Sequence, residues 1–166
     1  MNRAAGQAAP KPGADRACSA CAEMAGDTTA PGGPIFDDGL WFVSHHTGPF
    51  TDPGELIVKT RRHCESLGEL SEPEASALGP ILTAAVGALE RVIRAERIYA
   101  VSFNERVRHV HFLLLPRTAA MPRGHVTSDL YRRARNLLRR VGLLPNPSPA
   151  ARADAAERIR RLWGQP

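Results

Sequence analysis

The sequence predicts an α+β fold in which an antiparallel sheet is combined with one long helix and with helices at the C-terminal end. Two short strand-like segments, at 40–43 and 54–58, precede a long helical pattern at 72–94. Two further strand-like segments follow, at 98–103 and 107–115, and the chain then ends in stretches with helical spacing. Strands separated by one long helix and then closed by a hairpin are typical of α+β domains.

The strand segments are recognised by their β-branched and aromatic residues and by the turns that bound them. Segment 40–43 reads Leu-Trp-Phe-Val, and segment 54–58 is entered through Asp52-Pro53-Gly54. Pro and Gly at a segment boundary are the residues that turns require. Only Asn104-Glu105-Arg106 separates the last two segments, and this short link predicts an antiparallel hairpin.

The long helix has a recognisable beginning. Ser71 is followed three residues later by Glu74, the pattern of a capping box. Apolar residues then repeat at helical spacing, at Leu78, Ile81, Leu82, Ala85, Val86, Leu89, Val92 and Ile93. Gly79-Pro80 interrupts this pattern, and we expect it to kink or restart the helix.

Two C-terminal helices are predicted, the first capped by Thr127 or Ser128 and running to about Arg140, the second at 149–162. The apolar side of the first consists of Leu130, Tyr131, Ala134, Leu137, Leu138 and Val141, with arginines opposite. From Arg117 to the end there are 11 arginines and three acidic residues, so the basic character of the chain is concentrated there. We expect a solvated arginine face; contact with nucleic acid is a weaker alternative.

Bulk properties predict one domain with tails. Residues 1–16 are rich in Ala, Gly and Pro and are expected to be a disordered tail, 17–120 to form the domain, and 121–166 to be a basic helical extension packed on it. No secretory signal is recognised and no apolar run approaches a membrane span, so we expect a cytoplasmic protein without a membrane partner. Three cysteines argue against a disulfide framework.

Two histidines stand at alternate positions of the last predicted strand, at His109 and His111. Because alternate residues of a strand share a face, both side chains are expected on one side, about 7 Å apart. Val110, Phe112 and Leu114 would then point into the core. That spacing suits two separate tasks, one imidazole holding a metal and the other facing a ligand.

A Cys18-x-x-Cys21 pair supplies two thiolates of the kind that zinc binds in a tetrahedral site. Two further ligands are needed, and the candidates are His45, His46, His63, His109, His111, His125 and Cys64. A redox pair or ordinary thiols in a mobile tail are the alternatives.

These motifs occur in an order that resembles the histidine triad (HIT) superfamily, especially its zinc-containing bacterial members and the related galactose-1-phosphate uridylyltransferase branch. The matching pieces, across about 100 residues, are Cys18-x-x-Cys21, Trp41, Gly54-x-Leu-Ile-Val, Arg62-His63, Leu70-x-x-x-Glu74 and His109-x-His111 ending in Pro116-Arg117. The resemblance implies a HIT-like sheet, a zinc ion on Cys18, Cys21, His63 and His109, and His111 as nucleophile.

The resemblance also implies an activity, hydrolysis or nucleotidyl transfer through a nucleotidyl-histidine, on a nucleoside phosphate or dinucleoside polyphosphate. A backbone carbonyl bonded to Nδ1 of His111 would leave Nε2 to attack phosphorus. A homodimer is implied as well. Asn104, Arg106 and Arg108 precede the motif and are taken as substrate-binding residues.

One position departs from the family pattern. Leu113 occupies the third triad site, where a histidine or glutamine would donate a hydrogen bond to phosphate or to the leaving group. The alternative function is therefore a zinc-stabilised nucleotide-binding module with little or no catalysis.

Overall fold

The computed structural model describes residues 18–123 and 129–165, and it confirms the α+β fold. Five antiparallel strands form one sheet in the order β1-β2-β3-β5-β4. The elements are α1 (Ser19–Ala25), β1 (Pro34–Asp37), β2 (Trp41–His45), β3 (Leu56–Thr60), a 3₁₀ turn (Leu67–Glu69), α2 (Glu72–Ile93), β4 (Arg97–Val101), β5 (His111–Arg117), α3 (Asp129–Arg140) and α4 (Pro149–Leu162). The predicted tail, His125 and the caps at Thr127 and Ser128 lie outside the described residues.

Helix α2 covers one face of the sheet and begins as predicted. Ser71 and Glu74 form the capping box through both of its reciprocal hydrogen bonds. The buried Trp41 donates from Nε1 to the Glu74 carbonyl at 2.9 Å, which fixes the start of α2 over β2. The helix expected across most of 72–94 is confirmed, and α2 continues through Pro80 without restarting there.

The core lies between α2 and the sheet. Its fully buried members include Val43, Leu56, Val58, Leu89 and Leu114. Among the described residues, α2 is the one helix that is long and apolar enough to cross a membrane by length and composition alone, contrary to the expectation from sequence. It is also the helix against which this core packs, so the finding is weak evidence for a membrane span.

Three features were not predicted. Helix α1 follows Cys18, β1 lies in a segment for which no strand was predicted, and the link between β4 and β5 runs over 102–110. The last difference arises because the backbone just before β5 bonds to other partners. Val110 donates to the Cys64 carbonyl at 2.8 Å and accepts from the Thr60 amide at 3.2 Å.

The opposite face of the sheet carries the candidate site. Antiparallel pairing sets Phe42 opposite Lys59 and Lys59 opposite His111, so these three side chains form a row on that face. Next to the row, Leu113 and Leu115 pack with Ile57, Tyr99 and Val101 in a second, smaller apolar cluster. Strand alternation thus separates core and site as predicted.

Helix α4 packs against α2, β1 and β2. Ala156 and Ile159 are buried there, and Gly32 approaches so closely that a Cβ would lie 2.8 Å from that of Ala156. The buried Arg152 donates to the Gly48 carbonyl at 2.9 Å, which ties α4 to the loop between β2 and β3.

Helix α3 has the opposite orientation from the one expected. Two of its arginines face inward: Arg135 contacts Asp52 at 2.5 Å, and Arg139 donates to the Phe50 carbonyl at 2.7 Å and also contacts Asp52. Its leucines are exposed. The expected solvated arginine face is therefore wrong for Arg135 and Arg139, because they pair with the acidic residues of the loop between β2 and β3. We call this loop, which contains Asp52 and Glu55, the acidic loop.

Candidate metal centre and adjoining histidine

Four side chains that are far apart in sequence meet at one end of the sheet. Cys18 and Cys21 come from the first turn of α1, His63 follows β3, and His109 precedes β5. One ligand atom from each lies within 4.8 Å of every other. The structure therefore brings together the four residues that the resemblance implied, while His45, His46, His111 and Cys64 are not in this group.

The distances between the sulfur and nitrogen atoms of the cluster suit a metal ion with tetrahedral coordination. Sγ of Cys21 lies 3.3 Å from Nδ1 of His63 and 3.5 Å from Nδ1 of His109, and Sγ of Cys18 lies 3.6 Å from the latter. Metal–sulfur and metal–nitrogen bonds of about 2.3 and 2.0 Å in a tetrahedron require a sulfur–nitrogen edge of about 3.5 Å. Two thiols and two imidazoles at this spacing therefore fit a zinc-type ion.

His109 is oriented for ligation by its other ring nitrogen. Nε2 lies 2.8 Å from the Thr60 carbonyl, to which it can donate, and this leaves Nδ1 with its lone pair toward the thiols. Such an outer hydrogen bond commonly orients a ligating histidine. Burial lowers the pKa of His109 to about 4, so its imidazole is neutral at physiological pH, as a metal ligand must be.

His111 is two residues away in a different environment. It is partly exposed, and its Nδ1 lies 2.6 Å from the His109 carbonyl oxygen. With Nδ1–H donating to that carbonyl, the lone pair is on Nε2, which is the atom available to a ligand. Because the carbonyl that sets the tautomer of His111 belongs to His109, a member of the cluster, the position of the cluster also determines the tautomer of His111.

A buried ion pair lies beside His111. Nζ of Lys59 is 2.6 Å from Oε2 of Glu23, and both side chains are almost fully buried. Glu23 also accepts from the Ser44 hydroxyl at 2.6 Å. Burial lowers the pKa of Lys59, and Glu23 opposes that shift. Sequence reasoning missed this pair, although a lysine within an otherwise apolar strand is a signal for one.

A second polar group, formed by His46 and Arg132, lies near the far end of the site face. His46 accepts a hydrogen bond at Nδ1 from the Gly48 amide at 2.8 Å. Burial lowers the pKa of His46 to about 4, and the neighbouring His45 and the Arg132 guanidinium add to the shift. Arg132 shares the inward face of α3 with Arg135 and Arg139, given their helical spacing. Sequence reasoning missed Arg132 as well.

The three predicted substrate-binding residues occupy different surroundings. Asn104 accepts from the His111 amide through Oδ1 at 3.4 Å, so it supports the start of β5. Arg106 is exposed. Arg108 is exposed, and its guanidinium lies 3.6 Å from the Glu65 carboxylate, two residues after His63 of the four-residue cluster. Leu113, at the third triad position, is buried in the smaller apolar cluster.

Solved structures of histidine triad proteins resemble this chain over most of its length. A HIT-like protein involved in cell-cycle regulation from Bartonella henselae shares 15% identity at a TM-score of 0.63, covering 90% of this chain and 98% of that one. A zinc-bound histidine triad family protein from Mycobacterium smegmatis shares 17% identity at a TM-score of 0.61, with 87% and 91% covered. This chain has the histidine triad fold.

A third protein with the fold, described as a hypothetical histidine triad nucleotide-binding protein from Sulfolobus tokodaii, shares 12% identity at a TM-score of 0.64, with 87% and 91% covered. No protein-family model and no curated protein matches the sequence. At these identities the likeness establishes the fold, which confirms the predicted HIT-like sheet. The relation to the uridylyltransferase branch stays a prediction.

Proposed function

We propose that this protein binds a nucleotide against His111 and transfers its nucleotidyl group through that histidine, with a zinc ion on Cys18, Cys21, His63 and His109 as a structural centre. The observation that carries the proposal is the hydrogen bond between Nδ1 of His111 and the His109 carbonyl oxygen, at 2.6 Å. It leaves Nε2 free, and it makes the position of that atom depend on the cluster next to it.

Zinc is proposed because the site contains two thiols and two imidazoles at tetrahedral spacing. A site with four protein ligands is closed, and closed sites are structural rather than catalytic. The ion would supply binding energy that fixes α1 and residue 109 to the end of the sheet. The zinc-bound protein from Mycobacterium smegmatis with the same fold supports the choice of metal.

The chemistry assigned to this chain's own residues has two steps. Nε2 of His111 attacks the α-phosphorus of a nucleoside phosphate or dinucleoside polyphosphate, and the bond from phosphorus to the leaving group breaks. The leaving group is a phosphate oxygen in an anhydride; in a phosphoramidate it is nitrogen, which departs as ammonia after taking a proton from solvent. The Nδ1–H group of His111 continues to donate to the His109 carbonyl oxygen, and this oxygen stabilises the positive charge that the ring gains. Water or another acceptor then attacks the same phosphorus, the P–N bond breaks, and neutral His111 is regenerated.

The alternative is a nucleotide-binding module without turnover, and Leu113 favours it. A leucine offers no hydrogen bond to a departing oxygen, and loss of one such donor slows comparable reactions by on the order of 10²–10³. Arg132 and His46 carry N–H groups that could donate in its place, and the electrostatic influence of Arg132 on His46 supports their proximity.

The test combines metal analysis with intact-mass spectrometry of the purified chain. We expect one zinc per chain and, on incubation with adenosine phosphoramidate or a dinucleoside polyphosphate, an adduct with the mass of a nucleotidyl group. His111→Ala should abolish the adduct while zinc content is unchanged. Leu113→His should raise turnover by on the order of 10²-fold, since it restores the missing donor.

The outcomes separate the two functions. Nucleotide binding without adduct or product in the wild type would replace the enzymatic proposal with the binding module. An adduct that persists in His111→Ala would exclude His111 as nucleophile. Full zinc content in Cys21→Ser together with His109→Ala would show that the metal is elsewhere.

A further inference from the structure

Helix α3 presents an apolar surface that is exposed and that no residue of 18–123 or 129–165 covers. Leu130 is 79% exposed, Leu137 59%, Val141 57% and Leu143 71%. Leu130, Leu137 and Val141 recur at helical spacing, so they lie on one side of the helix. Leu143 and Leu144 continue this surface directly after α3. We call these five residues, together with Leu138, the leucine face.

The leucine face cannot be buried on its own domain without loss of the contacts that hold α3. Arg135 and Arg139 occupy the opposite side and reach Asp52, and Arg135 also lies 3.7 Å from Glu55. These four side chains are largely buried. Rolling the helix would leave two buried carboxylates without their cations, which costs several kcal/mol. The acidic loop therefore fixes the leucine face outward.

The charges at the border of this face indicate its partner. Arg133 and Arg140 follow Leu130 and Leu137 by three residues, so both lie along one edge of the leucine face, and both are exposed. From Asp129, the first residue of α3, to Ser148 the sequence contains five arginines and one acidic residue. If two copies met through their leucine faces, arginines would oppose arginines, which is unfavourable. The partner must accept leucines and carry negative charge.

We propose that α3 and the turn after it bind an anionic membrane surface. The leucine face would enter the boundary between headgroups and acyl chains, and Arg133 and Arg140 would contact lipid phosphates. At 12 residues, α3 is about 18 Å long and lies on a bilayer rather than crossing it. The proposal departs from the expectation of no membrane partner, which was based on the length of apolar runs and did not consider a helix lying on the bilayer surface. This proposal is independent of the function proposed for His111.

The test is a vesicle flotation experiment with the full chain. Vesicles of phosphatidylcholine alone are compared with vesicles of an equal mixture of phosphatidylcholine and phosphatidylglycerol. We expect binding to the mixed vesicles and little to the neutral ones. L130Q/L137Q should weaken binding by on the order of 100-fold, because two exposed leucines no longer enter the bilayer. R133Q/R140Q should weaken it by about 30-fold, at about 1 kcal/mol per arginine.

Two matched variants control for composition. Leu67 is an exposed leucine far from α3 in sequence, so L67Q should bind as the wild type does. R158Q/R161Q removes the same charge from exposed positions on α4 and should weaken binding by much less than R133Q/R140Q. Circular dichroism checks that each variant is folded.

Three outcomes would overturn the proposal. One is a wild-type chain that does not float with anionic vesicles. Another is an equal effect of the control variants and of those in α3. The third is an oligomer in solution that L130Q/L137Q converts to monomer, since a second copy would then cover the leucine face. An oligomer that this variant leaves intact uses another surface and agrees with the proposal.

Discussion

Helices α1 and α3 both attach to the domain through buried charged side chains, but α3 also leaves an apolar surface exposed to solvent. Glu23 of α1 reaches Lys59 in the sheet, and both side chains are almost fully buried beside the four-residue cluster. In α3 the polarity is reversed, since arginines on the helix reach acids on the domain. The apolar residues of α3 are left outside.

The difference shows what hydrophobic periodicity can and cannot predict. The spacing of leucines and arginines correctly predicts that α3 is a helix with two unlike sides. It does not decide which side faces the protein, because Asp52 and Glu55 are distant in sequence and their burial is not apparent from it. Once those acids are buried, pairing them with arginines outweighs burial of exposed leucines.

The largest effect is expected for Lys59→Met, which breaks the attachment of α1. Glu23 would be left buried and unpaired, and removal of one partner of such a pair typically costs about 3–5 kcal/mol. Urea denaturation of the zinc-loaded chain should show a loss of that order in the free energy of unfolding. The double variant K59M/E23M should recover most of it, because no charge is then buried. An equal loss in both variants would mean that packing, not charge, holds α1.

A smaller and more local effect is expected for R135Q/R139Q, which releases α3. Hydrogen bonds to charged groups contribute about 1.5–3 kcal/mol, but α3 lies at the periphery, so the loss should appear as local opening. Hydrogen exchange should accelerate in 129–140 and change little in α2. R133Q/R140Q serves as the control, because it removes the same charge from the exposed side. Equal protection in both variants would show that the inward arginines do not anchor the helix.

Much of the site was predictable because its residues follow local rules. The C-x-x-C turn, the alternation of His109 and His111, and the capping box at Ser71 and Glu74 each depend on a few neighbouring residues. Helix α4, predicted at about 149–162, is confirmed for the same reason. What the sequence could not provide were partnerships between distant residues.

Three such partnerships account for the differences. The link between β4 and β5 is long because Val110 bonds to Thr60 and Cys64, which lie more than 40 residues earlier. Helix α1 is short and was not recognised; it is held by the cluster and by Lys59 rather than by an apolar pattern of its own. Helix α2 continues through Pro80, since the position is exposed and the helix is fixed by packing on either side.

The smallest effect is predicted for the titration of His46, which lies in the loop that anchors α3. Burial lowers its pKa to about 4, against about 6.5 in the unfolded chain. Protonation is therefore favoured in the unfolded state, and the contribution of His46 is complete above about pH 6.5 and is lost as the pH falls toward 4. Between about pH 7 and 5 we expect a loss on the order of 1–2 kcal/mol from this group.

His46→Asn isolates that contribution from the other titrating groups. Asparagine can accept the Gly48 amide through its side-chain oxygen, as in an Asx turn, but it does not titrate. Urea denaturation of both proteins at about pH 7 and pH 5 should show a smaller loss for the variant, while release of the metal at low pH affects both alike. If the two proteins lose the same stability, the loop that binds Arg135 and Arg139 does not depend on a neutral His46, and the attachment of α3 rests on its ion pairs alone.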